Sequence, residues 1–440
     1  MTKLSVRVSR KQFLRVTAGA VCAPLMLPSS LFGANAPSNR INMGCIGVGR
    51  MGTGDLRDIL GRSGVQVVAV CDVDSKRVAN AKIMVEKQYA AEKATGVYKG
   101  CAAYGDFREL IARTDIDAVQ IVTPDHWHAI PAIEAARAGK DLFVQKPLTY
   151  SLQEGRVLSD TVRRYGRILQ VGSQHRSNNR IRFGCELVRN GRIGKLHTVR
   201  VSLPTDPAGP LRTATPPPPE LNYNMWLGPA PWADYIEDRV HPQTGLDRPG
   251  WLRVTDYCLG MITGWGAHYN DVAQWGMGME LTGPVEIEGT ATYPTEGVWD
   301  VHGAFHIEYT YANGVKLICA DAKPDQLGIR FEGSEGWVFV DPSHLDAHPK
   351  SLLTSVIGAD EIHLCESKHH KQNFLDSIRS RKDPIAPVEV AHRSCSVCIL
   401  GHIAMKTGRK LKWDPQQERF TKDDAANRML SRPAREPWNV

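Results

Sequence analysis

What the 440-residue chain lacks narrows its class at once. Its ten cysteines keep no framework spacing, which excludes a small disulfide-stapled fold. Aromatic residues make up only 7%, and Lys+Arg 54 nearly balance Asp+Glu 47. Residues 1–36 hold Lys3, Arg7, Arg10, Lys11 and Arg15 and no acid, so five of the seven net positive charges sit there. The remainder is close to neutral and gives no electrostatic reason to expect nucleic acid as a partner. No internal repeat is visible, and no unbroken apolar run reaches the ~20 residues of a stable membrane span. Metal-ligand spacing is missing too. His302 with His306, His369 with His370, and Cys395-Ser-Val-Cys398 each lack a further ligand, so no metal is expected.

What is present begins with an address. Ser9-Arg-Lys-Gln-Phe-Leu-Arg15 precedes an apolar stretch, Val16 to Phe32, that is broken by Pro24 and Pro28. Ala34-Asn-Ala36 then offers small residues for cleavage. Residues 1–36 therefore read as an export signal, similar to the twin-arginine type with Lys11 where the second arginine would stand. This predicts a periplasmic or otherwise exported protein.

The segment 37–170 reads as a dinucleotide fold. An apolar run, Ile41 to Ile46, ends in Gly47-Val-Gly49-Arg50-Met51-Gly52; a helical pattern follows, then the run Val65 to Cys71 and Asp72. Gly47 permits a tight turn, Gly49 lets the backbone approach a pyrophosphate, and Gly52 lets helix and strand pack closely. Asp72 would accept hydrogen bonds from a ribose diol and repel a 2′-phosphate, which favours NAD, although Lys76 and Arg77 stand nearby. Helical and strand patterns then alternate as far as Val171, which predicts an α/β fold with a doubly wound parallel sheet. Ligands bind at the carboxyl ends of such strands. Those ends carry Thr123-Pro124-Asp-His-Trp127-His128, Gln145-Lys146-Pro and Gly172-Ser-Gln174-His175-Arg176.

In the segment 171–370, Ile193 to Leu203 alternates as a strand, and Pro204 to Pro231 is proline-rich and extended. Tyr223, Trp226 and Trp232 give that excursion an aromatic, sugar-facing character, with an oligomer contact as the other reading. Asn313-Gly314 between two alternating runs marks a hairpin. In 371–440, helices are expected over His370–Ser380 and Val390–Thr407, with Cys395 and Cys398 as core packing.

The glycine loop, Thr-Pro-Asp-His-Trp-His and Gln-Lys-Pro together resemble the Gfo/Idh/MocA family, as do Trp226-Leu-Gly-Pro-Ala-Pro231 and Trp265-Gly-Ala-His-Tyr-Asn-Asp271. The resemblance runs from residue 40 to 440 and points to an exported, sugar-handling branch. It implies a Rossmann domain, then an α/β domain with an open, mostly antiparallel sheet that mediates a homodimer or homotetramer. It also implies C-terminal helices packed back between the two. The activity implied is NAD-dependent oxidation of a sugar, glycoside or polyol hydroxyl. Two other readings stay open: a glycosidase that uses NAD transiently, and a non-catalytic binding protein.

Lys146, at a strand end on the cofactor face, can stabilise a developing alkoxide and relay its proton. His268 titrates near neutrality and suits the same exchange, with Asp271 one helical turn on. The family commonly has Glu before this Lys and Asp four residues before this His, where the chain has Gln145 and Gly264. Asp271 or Asp256 is expected to compensate. Cofactor contacts are expected from Gly47, Gly49, Arg50, Met51, Gly52, Asp72, Thr123, Pro124, His128, Gln145 and Lys146. Substrate contacts are expected from Trp127, Gln174, His175, Arg176, Trp226, Asp256 and Tyr257.

Overall fold

Six short apolar runs build the first layer. A computed structural model describes residues 40–240, 250–323 and 326–438, so the export-signal reading lies outside the described residues. Its first sheet contains β1 (Ile41–Ile46), β2 (Val65–Cys71), β3 (Ala102–Tyr104), β4 (Ala118–Ile121), β5 (Asp141–Val144) and β6 (Leu169–Val171). The order is β3-β2-β1-β4-β5-β6 and every pairing is parallel. That order is the doubly wound dinucleotide-binding arrangement. β4, β5 and β6 are buried at every position because helices cover both faces.

Register is what makes a site. Ile46 pairs with Cys71 and Ile121, Ile121 with Val144, and Val144 with Val171. The residues that follow each strand therefore share one rim. The helix Arg50–Leu60 begins at that rim and buries Leu56, Ile59 and Leu60 against the sheet.

The second sheet holds β7 (Leu196–Leu203), β8 (Glu286–Ala291), β9 (Phe305–Thr310), β10 (Lys316–Asp321), β11 (Gly328–Gly333), β12 (Gly336–Val340), β13 (Leu345–His348), β14 (Leu411–Asp414) and β15 (Arg419–Phe420). Their order is β13-β12-β11-β7-β10-β9-β8-β14-β15, and among the described strands of this second sheet only β7 and β10 pair parallel. The expected hairpin joins β9 to β10, with Gly314 at φ +84 in the turn. Expecting helices alone over 371–440 is corrected by β14 and β15. Four residues of alternation are too few to separate a strand from a helix end.

The helix Val388–Thr407 is buried on nearly every side because it packs on the Rossmann helix Leu152–Arg164 and on β8. Cys395 and Cys398 lie inside it as buried free thiols, and burial pushes Cys395 up to about 11. The proline-rich excursion folds over a small core of its own, which includes Leu221, Tyr223, Trp226, Leu227, Tyr235, Val254 and Tyr257. Its only helix among the described residues before Pro231 is Tyr223–Leu227. No helix among the described residues is long and apolar enough to cross a membrane.

Candidate active site

The glycine loop is shaped by collisions it avoids. Gly47 sits at φ +80, and a Cβ there would lie 2.6 Å from the Val122 carbonyl carbon. A Cβ on Gly52 would strike the Gly47 carbonyl oxygen. The helix Arg50–Leu60 then starts without a side-chain cap or an acid in its first turn. Its opening N–H groups are thus left for an anion in the cleft. Arg50, Met51, Thr123, Pro124, Gln145 and Lys146 line that cleft on the Rossmann side. The buried Thr123 hydroxyl has no partner among the described residues. Met225, Trp226, Trp251 and Leu252 form the opposite wall. These residues fit a dinucleotide: a close-approach glycine turn, an uncapped helix start and an acid at the end of β2.

That acid is Asp72, whose carboxylate accepts from Val48 N at 2.8 Å and Asp74 N at 3.1 Å. Burial raises its pKa above the usual carboxylate range. Of the two nearby cations, Lys76 is turned to Glu220, and Arg77 lines the cleft while pairing with Asp74 at 3.5 Å. Purified protein should therefore prefer NAD to NADP, and Asp72→Ala should narrow the gap about tenfold, the scale of one charged hydrogen bond. Titration with the two cofactors checks this. A clear NADP preference in the unmodified protein would overturn the role of Asp72.

Lys146 lines the cleft, and His268 and His175, which are not among the lining residues, lie close enough to feel its charge. The Lys146 ammonium donates to the Gly264 carbonyl at 2.8 Å, so the main chain partly fills the place of the absent side chain. Beneath it, the Gln145 amide accepts from Lys146 N at 3.0 Å and donates to Asp55 at 3.0 Å. Asp55 in turn pairs with the buried Lys371 at 2.9 Å. His268 stacks on His175 with ring centroids 4.4 Å apart. Neither buried Nδ1 has a partner among the described residues. Burial first, then the charges of His175 and Lys146, hold His268 well below the ordinary histidine value. Burial likewise brings His175 down to about 4. The ammonium can stabilise the negative charge that develops on a hydroxyl oxygen, while a neutral imidazole beside it accepts the hydroxyl proton.

Among the other expected residues, His128 and Trp127 also line the cleft and are fixed there by hydrogen bonds. Both His128 ring nitrogens face carbonyl oxygens, Pro147 at 2.6 Å and Thr123 at 3.0 Å. Burial lowers its pKa to about 4, so the neutral ring donates through one nitrogen only, the shorter contact. His128 braces the Lys146 turn. Trp127 is buried and donates to the Trp226 carbonyl at 2.9 Å, holding the far wall. Gln174 opens the 3-10 turn that carries His175.

Arg176 and Asp271 are corrected as direct site contacts. They form a buried pair with each other at 2.6 and 2.8 Å, and Ser394 adds a bond to Asp271 at 2.7 Å. Tyr257 is fully buried edge-on to Trp226 at 4.8 Å, which leaves it no face for substrate. Asp256 is half-buried and is not among the cleft-lining residues; its carbonyl accepts from Arg432. Trp251 and Leu252 were not foreseen, and Trp251 could have been, as an aromatic within the same aromatic-rich stretch.

Comparison with known proteins agrees with this geometry. Residues 41–173 match the model for an oxidoreductase family, NAD-binding Rossmann fold, and residues 211–440 match that family's C-terminal alpha/beta domain. An alpha-N-acetylgalactosaminidase of Shewanella oneidensis is 32% identical over 207 residues, 43% of this chain and 44% of that protein. The oxidoreductase YrbE of Bacillus subtilis is 28% identical over 186 residues, 42% of this chain and 48% of that protein. The chain thus spans less than half the length of these curated relatives. Among solved structures, the WlbA dehydrogenase of Bordetella pertussis, in complex with NADH and UDP-GlcNAcA, superposes with a TM-score of 0.60 at 17% identity. That alignment covers 85% of this chain and 99% of the other, and shows a shared fold.

Proposed function

Because the chain belongs to the Gfo/Idh/MocA oxidoreductase family, we propose that it oxidises a hydroxyl of a sugar, glycoside or polyol at the Lys146–His268 end of the cleft. The observation that carries this reading is the Lys146 ammonium set among neutral imidazoles at the end of a dinucleotide cleft. NAD, when bound, supplies the hydride acceptor. Gly47, Gly49 and the start of the helix Arg50–Leu60 would hold its pyrophosphate, and Asp72 its ribose. Lys146 holds the substrate oxygen and stabilises the charge that develops there, and His268 takes the proton. The wall of Met225 and Trp226 excludes water, and Trp265, 39% exposed beside His268, offers a face on which a sugar ring can stack. Incubation with a panel of glycosides and polyols should give a keto-sugar. A panel that yields neither keto-sugar nor released aglycone would overturn the reading.

The second reading is a glycosidase that oxidises, eliminates and reduces on one bound NAD. The match to the Shewanella alpha-N-acetylgalactosaminidase favours it. Released aglycone from the same panel distinguishes the two.

We also propose, from the basic and apolar residues of 1–36, that the protein is exported by the twin-arginine route. An exported enzyme cannot draw on a cytoplasmic NAD pool, and that route carries folded proteins with ligand aboard. The cofactor therefore stays bound and is recycled in place. Mass spectrometry of denatured, unsupplemented protein should find one NAD per chain; protein that emerges empty would refute retention. The sheet face away from the helices carries Arg200, Arg330, Glu332, Glu308 and Lys316, a mixed-charge surface suited to pairing with a second copy.

A further inference from the structure

The cleft's outer wall is held shut by a segment remote from it in sequence. The helix Tyr223–Leu227, which supplies Met225 and Trp226, is tied to the Rossmann rim on one side. Asn222 N donates to Val73 O at 2.9 Å, Ser75 N donates to Glu220 O at 3.0 Å, and Trp127 donates to the Trp226 carbonyl. At its other end the Asn224 carbonyl already accepts from Gly228 N at 3.2 Å and the Leu227 carbonyl from Ala230 N at 3.0 Å. Arg435 adds a charged donor there. Its guanidinium donates to Asn224 O at 2.7 Å, Asn224 Oδ1 at 2.7 Å and Gly228 O at 3.0 Å, and its own N–H donates to Pro229 O at 3.0 Å.

Three residues on, the segment turns back to the Rossmann domain. The Trp438 ring meets the edge of Trp127 with centroids 4.8 Å apart, and Arg108 stacks over Trp438 at 5.2 Å. Trp127 itself lines the cleft. Arg435 and Trp438 thus bridge the wall helix to the floor it closes against. Upstream, Arg432 anchors the segment through Asp256 O at 2.7 Å and the face of Tyr150 at 3.7 Å.

We propose that residues 432–438 are a clasp belonging to the cofactor site, with Arg435 and Trp438 as positioning residues that keep the Tyr223–Leu227 wall closed over bound NAD. The proposal rests on the cofactor reading above. A charge-assisted set of bonds to one short helix is the strongest tie that helix has outside its own small core. For the cofactor to leave past Met225 and Trp226, the helix must lift, and Arg435 must let go first. The clasp therefore sets how fast the site opens more than how well the open site binds.

The test uses NADH fluorescence with the full chain. Arg435→Ala should raise the NADH dissociation rate about tenfold, the scale of one lost charged hydrogen bond, and Trp438→Ala, which deletes the ring contacts to Trp127 and Arg108, should raise it by about three- to tenfold. Association should accelerate in parallel, so the dissociation constant changes less than either rate. Arg409→Ala removes a comparable surface arginine, paired with Asp423 away from the cleft, and should change neither rate. General destabilisation would lower the unfolding midpoint without speeding association, so the paired rates separate it from a clasp. Unchanged rates in both clasp variants overturn the proposal while leaving the cofactor reading intact. Failure of the unmodified chain to bind NADH at all would overturn both.

Discussion

Lys146→Met should slow single-turnover reduction of bound NAD by about 10²–10⁴-fold, the usual loss for one well-placed acid–base group. Methionine keeps the length and apolar stem of lysine and deletes only the ammonium. The cofactor's other expected contacts, the glycine loop and Asp72, are untouched, so NAD should remain bound. His268→Ala should lose rate over the same range, because Gly264, where the family commonly has Asp, offers Lys146 only its main-chain carbonyl and cannot titrate.

The pH profile separates the two groups. A proton acceptor works in its neutral form, and burial with three neighbouring positive or titrating groups, His175, Lys146 and His370, holds His268 well below its ordinary value. The acid limb of the unmodified protein should therefore lie below about pH 6.5, the unperturbed histidine value. Removing the Lys146 charge removes one of the effects that disfavour imidazolium, so the His268 pKa rises. In Lys146→Met the acid limb of the residual rate should move to higher pH. Stopped-flow measurement across pH checks both effects. Near-normal rates in both variants would place the chemistry elsewhere and revive the binding-protein reading.

The parts of this site that the sequence made legible are those whose signal is local. The glycine spacing, the acid after β2 and the motifs after β4 and β5 are short patterns at strand ends. Parallel register then places them on one rim without further information. The direction in which a rim side chain turns is not local. Arg176 and His175 are adjacent in the same turn, yet His175 joins His268 and Arg176 points into the core toward a partner 95 residues away. The same holds beneath Lys146, where Lys371 reaches Asp55 across 316 residues. No periodicity records such pairings. Arg435 was illegible for a related reason: it lies in a charged stretch with no period, and its partners Asn224 and Gly228 are more than 200 residues away.

Asp271→Ala is expected to act on stability rather than on proton transfer, lowering the unfolding free energy by about 3–5 kcal/mol. His268 and Asp271 are one turn apart on the helix Gly266–Met277, but the helix divides them between two environments. His268 is half-buried and feels the Lys146 charge, whereas Asp271 is 1% exposed. Asp271 accepts both nitrogens of an Arg176 fork that is itself buried, stacked on Trp275 at 5.0 Å and paired with Glu280 at 2.7 Å. Deleting the carboxylate would strand the guanidinium in the core with one partner short, and would also orphan the Ser394 hydroxyl. Replacing both members by apolar residues of similar size, Arg176→Met with Asp271→Leu, avoids the stranded charge and should recover much of the loss. Glu280 is half-exposed and can return to water in that variant. Urea unfolding of the single and double variants, alongside single-turnover reduction of bound NAD, tells the two roles apart. If Asp271 supports the fold, the double variant regains stability and keeps His268 working within about tenfold of the unmodified rate. If Asp271 instead carries protons, the single variant would fold normally and lose its rate, and the double variant would be stable and inactive.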